Sequence, residues 1–135
     1  MSDEYSGSGF AAIRAVDYTV IFARDLAAMR GFYEGVLGFR LARALSDGWL
    51  EYHVGATTLV LALPGPTAGD APLPEGSAAL QLAFRVPPGE VDRCARELEA
   101  RGIEILSPPQ DRPFGHRTLF FRDPDGNLLE VYAEI

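Results

Sequence analysis

Apolar residues along this chain follow two different periods, and the same order of periods occurs twice. Val16 to Phe22 is an apolar, β-branched run that predicts a strand. Asp25 follows as a helix N-cap. Leu26, Met29, Phe32, Tyr33, Val36 and Leu37 then recur at helical spacing, with Gly38 placed to end the helix. Phe39 to Leu45 predicts a second strand and Ser46-Asp47-Gly48 a turn. Trp49 to Val54 and Thr57 to Leu63 predict a hairpin around Gly55-Ala56. Pro64 to Ser77 breaks both periods with proline, glycine and small residues, and predicts a linker. Beyond it comes a strand from Ala78 to Val86, then a helix from about Gly89 with Val91, Cys94, Ala95 and Leu98 on one face, closed by Gly102. A short strand, Ile103 to Leu106, leads into a proline-containing loop, Ser107 to Gly115. Arg117 to Arg122 and Leu128 to Ala133 make the final hairpin. Its turn, Asp123-Pro124-Asp125-Gly126, has the Asp, Pro and Gly placement of a type I turn.

The two halves superpose. Tyr18 lies over Gln81, Gly38 over Gly102, and Leu59-Val60-Leu61-Ala62 over Leu129-Glu130-Val131-Tyr132. A duplication of this kind organises the chain more firmly than any single motif. It predicts an α+β fold of two tandem βαβββ modules that form a curved mixed sheet around a cleft, with helices outside. Residues 1–10 read as a flexible tail and 11–135 as one domain. Module one spans about 13–63, the linker 64–77 and module two 78–133.

Composition narrows the function. The chain has 135 residues, 47% of them hydrophobic, which suffices for one packed core. All 12 basic residues are arginine, so a Schiff-base or P-loop lysine is excluded. They are scattered along a chain of net charge −7, which argues against nucleic acid. An acidic surface gives solubility and, in a cleft, attraction for cationic ligands. The single cysteine, Cys94, excludes an intrachain disulfide and a Cys-rich zinc site. It falls on the apolar helix stripe as a core residue, and a reducing, cytoplasmic setting fits. No apolar stretch approaches the roughly 20 residues of a bilayer span. Met1 to Gly9 lacks the basic and apolar regions of a secretory signal.

The run Asp25-Leu26 … Phe32-Tyr33-Glu34-Gly35-Val36-Leu37-Gly38-Phe39 resembles the first module of the glyoxalase/bleomycin-resistance/extradiol-dioxygenase family, also called the vicinal oxygen chelate family. Phe121-Arg122-Asp123-Pro124-Asp125-Gly126-Asn127-Leu128-Leu129-Glu130 resembles the end of its second module. The resemblance covers roughly Ile13 to Ala133. It is specific for the fold and not for the reaction, because the family includes lyases, epimerases, dioxygenases, thiol transferases and non-catalytic drug-binding proteins. It implies a metal held by one residue from each of four pseudo-symmetric strand positions, usually histidine, glutamate or glutamine. Those positions here carry Tyr18, Val60, Gln81 and Glu130. A divalent transition metal wants about three or more imidazole, carboxylate or thiolate donors. Glu130 is a strong ligand, Gln81 offers its carbonyl oxygen, Tyr18 is unusual and Val60 binds nothing. The set points to a protein without the usual metal; if one binds, Glu130 and Gln81 hold it. The alternative role for Tyr18, Gln81 and Glu130 is a hydrogen-bonded polar cluster in the cleft floor. The resemblance also implies a homodimer in which modules of two chains share a cleft.

Strand alternation supplies further candidates. With Gln81 and Glu130 facing the cleft, Ala83, Arg85, Leu128 and Tyr132 face it too. Leu80, Leu82, Phe84, Leu129 and Val131 form the opposite, apolar set. On the strand from Trp49, the more polar face carries Trp49, Glu51 and His53, with Trp49 able to stack on a planar ligand. His53 is the general-base candidate on that face, and its alternative is a histidine at the sheet rim. His116, at the end of a loop, reads as exposed and structural. Arg117, with Leu119 and Phe121, is placed to line the groove and clamp an anion, or to pair with one of the chain's acids. Three functions stay open beside a fourth, a pure interaction module, for which the sequence shows no separate peptide-binding signature. One is a metal-free binder of a small, aromatic or cationic compound. The second is a metal-dependent lyase, isomerase or dioxygenase with an altered ligand set. The third is a metal-free enzyme in which Glu130 or His53 moves a proton.

Overall fold

The computed structural model of the protein describes residues 9–64, 71, 74 and 80–135. Module one runs β1 (Tyr18–Phe22), α1 (Leu26–Gly31), β2 (Leu41–Ser46), β3 (Trp49–Val54) and β4 (Thr57–Ala62). Module two runs β5 (Gln81–Arg85), α2 (Glu90–Ala100), β6 (Ile105–Asp111), β7 (His116–Arg122) and β8 (Leu128–Glu134). Each module builds one four-stranded mixed sheet, ordered β1-β4-β3-β2 and β5-β8-β7-β6. In both, the first strand pairs in parallel with the last, and the other pairings are antiparallel. The expected α+β duplication is therefore realised strand for strand. Gly9–Ala12 forms a 3₁₀ turn at the end of the expected tail. The linker reading of Pro64 to Ser77 lies outside the described residues except at Pro64, Ala71 and Pro74. No helix among the described residues is long and apolar enough to cross a membrane.

One core serves both modules. The helix-side faces of the sheets contribute Ile21, Leu50, Tyr52, Leu59 and Leu61 from module one. From module two come Leu119, Phe121, Leu129, Val131 and Ala133. Met29, Phe32 and Tyr33 enter from the first helical segment, and Val91, Ala95 and Leu98 from α2. Cys94 packs against this core only half-buried, and burial raises its thiol pKa.

Local chemistry explains the boundaries. The Asp25 carboxylate accepts from the Ala28 amide at 3.0 Å, so Asp25 caps α1 as expected. The helix then widens: Phe32–Val36 is a π-turn, closed by the Leu37 amide on the Phe32 carbonyl at 3.0 Å. The wider turn lets the adjacent rings of Phe32 and Tyr33 both enter the core. Gly38 follows at φ +76°, a left-handed conformation suited to glycine. The loop expected over Ser107 to Gly115 is instead strand as far as Asp111. β6 is an outer strand, where Pro108 and Pro109 are tolerated, and its register to β7 slips around them.

Candidate functional site

The face of each sheet turned away from the shared core is open, and the two open faces have different chemistry. On module one, Tyr18 meets Trp49 edge to face, with ring centroids 6.1 Å apart. The Trp49 indole donates to Glu51 at 2.7 Å, and Arg43 adds a forked pair of bonds to the same carboxylate at 3.2 Å each. The Trp49 and Arg43 bonds hold the Glu51 carboxyl below its usual range. Val60 lies buried on this sheet, paired in register with Val20 and Glu51. His53 shares the strand with Glu51 but is exposed, and it sits near the β3–β4 turn. This is the rim position named as its alternative.

On module two, the Gln81 amide donates to Glu130 at 3.4 Å, a long bond between adjacent parallel strands. Arg85 pairs with Glu134 at 3.0 Å in an exposed ion pair further along the same strands. The Tyr132 ring stacks on His116, centroids 4.7 Å apart and planes 27° from parallel, and Phe114 meets His116 edge-on at 5.2 Å. Arg112, Phe114, His116, Thr118, Phe120 and Glu130 line a cavity of about 510 Å³. A second cavity of about 350 Å³ lies between the modules, lined by Thr19, Thr58, Leu59, Leu82 and Phe84. The one ionisable side chain on it is Arg85, which Glu134 engages.

Pseudo-symmetry survives in register. Tyr18 pairs with Thr58, so Val60 is its diagonal neighbour; Gln81 pairs with Leu128, so Glu130 is its diagonal neighbour. The structure joins Gln81 to Glu130 and Tyr18 to Trp49. Among the described contacts, none links Tyr18 to Gln81 or Glu130, and none links His53 to Glu130. The three-member cluster expected in the cleft floor is thus a pair, with Tyr18 on the other sheet.

On β7 one of the two readings of Arg117 holds and the reading of His116 is corrected. Arg117 pairs with the chain's acids, the second of its two expected roles, and does not line the open face. It is bound to Asp92 of α2 and to Asp111, each at 2.8 Å, while Leu119 and Phe121 are core residues. The face toward Glu130 is instead His116, Thr118 and Phe120. His116, read from sequence as exposed and structural, is half-buried against Tyr132 on that face. Sequence reasoning also missed Arg112. Its amide bonds the His116 carbonyl at 2.6 Å in the tight turn joining β6 to β7. The Arg-Pro-Phe-Gly run at 112–115 is a turn signal that could have placed it there.

The motif residues assemble elsewhere, in the seam between modules. The Tyr33 hydroxyl donates to the buried Asp123 carboxylate at 2.9 Å. That carboxylate also accepts the Asp125 amide at 3.0 Å and the Asn127 amide and side chain at 2.9 and 3.0 Å. Arg24 reaches across to Asp125, its amide to the carboxylate and its guanidinium to the carbonyl, both at 2.7 Å. Burial, then the Asp123 charge, pushes the Tyr33 phenol far above its ordinary pKa.

Two mixed sheets closed in parallel by their last strands, with a duplicated diagonal on each open face, define a glyoxalase-type fold. The chain belongs to the Glyoxalase/Bleomycin resistance protein/Dioxygenase superfamily, whose pattern it matches over residues 15–131. A glyoxalase/bleomycin resistance protein/dioxygenase from Nocardioides superposes with a TM-score of 0.80 at 28% identity, covering 92% of this chain and 85% of that one. A lactoylglutathione lyase from Agrobacterium tumefaciens superposes at 0.74 with 26% identity, covering 90% and 95%. The uncharacterized protein YwkD of Bacillus subtilis is 30% identical over 132 residues, covering 90% of this chain and 98% of its own.

Proposed function

We propose that this protein binds a small organic molecule against the open faces of its sheets, without the transition metal associated with the fold. The donor set carries this reading. At the four pseudo-symmetric positions stand a phenol packed on Trp49, a buried valine, an amide and one carboxylate. One carboxylate with one amide falls short of the donors a divalent transition metal wants, so the residues do not fit such an ion. The faces do offer what a small planar ligand uses: rings at Tyr18, Trp49, His116 and Tyr132, a cavity beside Glu130, and a few polar groups.

A second copy completes the cleft in this reading. Tyr18 and Phe22 remain 49% and 44% exposed on module one, and Gln81 is exposed on module two. Laying one chain's module-two face on its partner's module-one face would cover them. The one thiol, Cys94, suits a reducing, cytoplasmic setting.

Two measurements on protein purified without chelator or affinity metal test the proposal. Elemental mass spectrometry is expected to find far less than one metal per chain, and a chemically diverse library is expected to contain compounds that raise Tm. About one manganese, iron, nickel, cobalt or zinc per chain overturns the metal-free half. A library without a single stabilising compound overturns the binding half.

A further inference from the structure

We infer that the open face of module two is built for an aromatic carboxylate, with Arg112 as the seat of the carboxylate; this deepens the small-molecule reading above and rests on it. Two arginines flank the β6–β7 hairpin and have opposite surroundings. Arg117, on the helix side, is neutralised by Asp92 and Asp111. Arg112, half-buried on the open side, has only hydroxyls: its Nε donates to Thr118 Oγ1 at 2.9 Å and its Nη2 to Ser107 Oγ at 3.3 Å. Among the described residues no carboxylate pairs with it.

A guanidinium carries five N–H donors in one plane, and two are used here. Hydroxyls supply geometry but no compensating charge, so a cation partly withdrawn from water remains unbalanced. The chain has 19 acidic side chains against 12 basic ones, so acids are not in short supply. Thr118 is buried and Ser107 half-buried, which holds the fork in one orientation. A planar fork with free donors matches a carboxylate.

The cavity beside it sets the rest of the ligand. Phe114, His116 and Phe120 line it, and Tyr132 backs the His116 ring, so the middle of the site is a surface for a flat ring. Glu130 lines the same cavity and accepts one long bond from Gln81, which leaves it acceptor capacity for a ligand amino or hydroxyl group. A ring bearing a carboxylate and a hydrogen-bond donor satisfies all three features.

Calorimetric titration of the full chain with para-aminobenzoate, and with para-aminobenzamide as its neutral counterpart, tests the inference. The carboxylate is expected to bind at least about tenfold more tightly than the amide, the scale of a charged hydrogen bond. Arg112→Gln should lose that preference, and Arg112→Lys should keep only part of it. Arg96→Gln, the same charge change on the exposed side of α2, should leave it intact. Equal binding of acid and amide to the unaltered chain overturns the inference, whether or not R112Q folds. So does an R112Q variant that folds and binds the acid as before. If neither probe binds but other library compounds raise Tm, the carboxylate seat is wrong and the small-molecule reading stands. If the library is also silent, both fall.

Discussion

The seam and the open faces divide the chain's polar residues between two kinds of work. In the seam, Tyr33, Asp123, Asn127, Arg24 and Asp125 satisfy one another at short distances, and the Asp123 carboxylate is buried with four donors on it. On the open faces several bonds are long or exposed, as with Gln81 to Glu130 and Arg85 to Glu134, and among the described residues Arg112 has no acid. The residues that identify the family sit mostly in the seam. They report how two modules are held together and say little about what the protein binds, which is why so recognisable a sequence leaves its ligand unnamed.

That contrast predicts where substitutions hurt. Asp123→Ala should have the largest effect. It strands the Tyr33 hydroxyl in the core and removes the carboxylate that the Asn127 amide and side chain bond, and a loss of about 3 kcal/mol or more is expected in urea unfolding. A loss under about 1 kcal/mol would mean water or a shifted turn replaces the carboxylate. Tyr33→Phe removes one donor and leaves Asp123 its other three, so about 1–2 kcal/mol is expected.

The same pair gives a pH signature. The folded Tyr33 phenol has its pKa raised above the ordinary 10.0, chiefly by burial, and Tyr52 is raised for the same first reason. Below pH 10 both states keep these protons and stability is unaffected by them. Above it the unfolded chain ionises first, so stability falls as pH rises. Tyr33→Phe should flatten the alkaline slope in denaturant melts taken from pH 9 to 11; an unchanged slope would place the titration elsewhere.

The smallest effect belongs to the open face of module one. Trp49 is the chain's one tryptophan and bonds Glu51. Its fluorescence should titrate with a midpoint below the usual 4.5 of a glutamate, because the folded carboxyl is depressed by Trp49 and Arg43. The stabilising bonds are complete above the unfolded value and lost as pH falls through the folded one. Glu51→Gln should erase that titration while moving the unfolding midpoint little, because the Arg43 partner is exposed and a glutamine can still accept from the Trp49 indole. A large midpoint shift would mean the face is more tightly built than the seam comparison implies.

Much of the fold was legible because period and punctuation agreed. Asp25, Gly38, Gly102 and the Asp123–Gly126 turn all stand at element ends. The alternation on β3, β5 and β8 assigned the open and core faces correctly, since one face of each was plainly apolar. β7 resisted the same logic. His116-Thr118-Phe120 and Arg117-Leu119-Phe121 each mix an aromatic with a cationic or titratable side chain, so composition does not tell the faces apart. A reading one residue out of phase moves every side chain to the other side. That phase puts Arg117, with Leu119 and Phe121, toward the groove in one of its two readings, while His116 reads as exposed from its place at the end of a loop. Arg112 was hidden for a different reason: its partners, Ser107 and Thr118, are matched through a slipped register that the prolines of β6 impose.

The order of strands in each sheet also governs assembly in time. β4 and β8 are inner strands, flanked on both sides, yet each is the last of its module to appear along the chain. A hairpin of the two preceding strands can form early, but the opening strand, β1 or β5, has no partner until the final one arrives. Its parallel pairing closes a loop spanning nearly the whole module, an entropically slow step. A nascent chain would therefore carry β1 as a bare, apolar edge until β4 has emerged, and β5 likewise until β8. That interval is when misassociation between growing chains should be greatest.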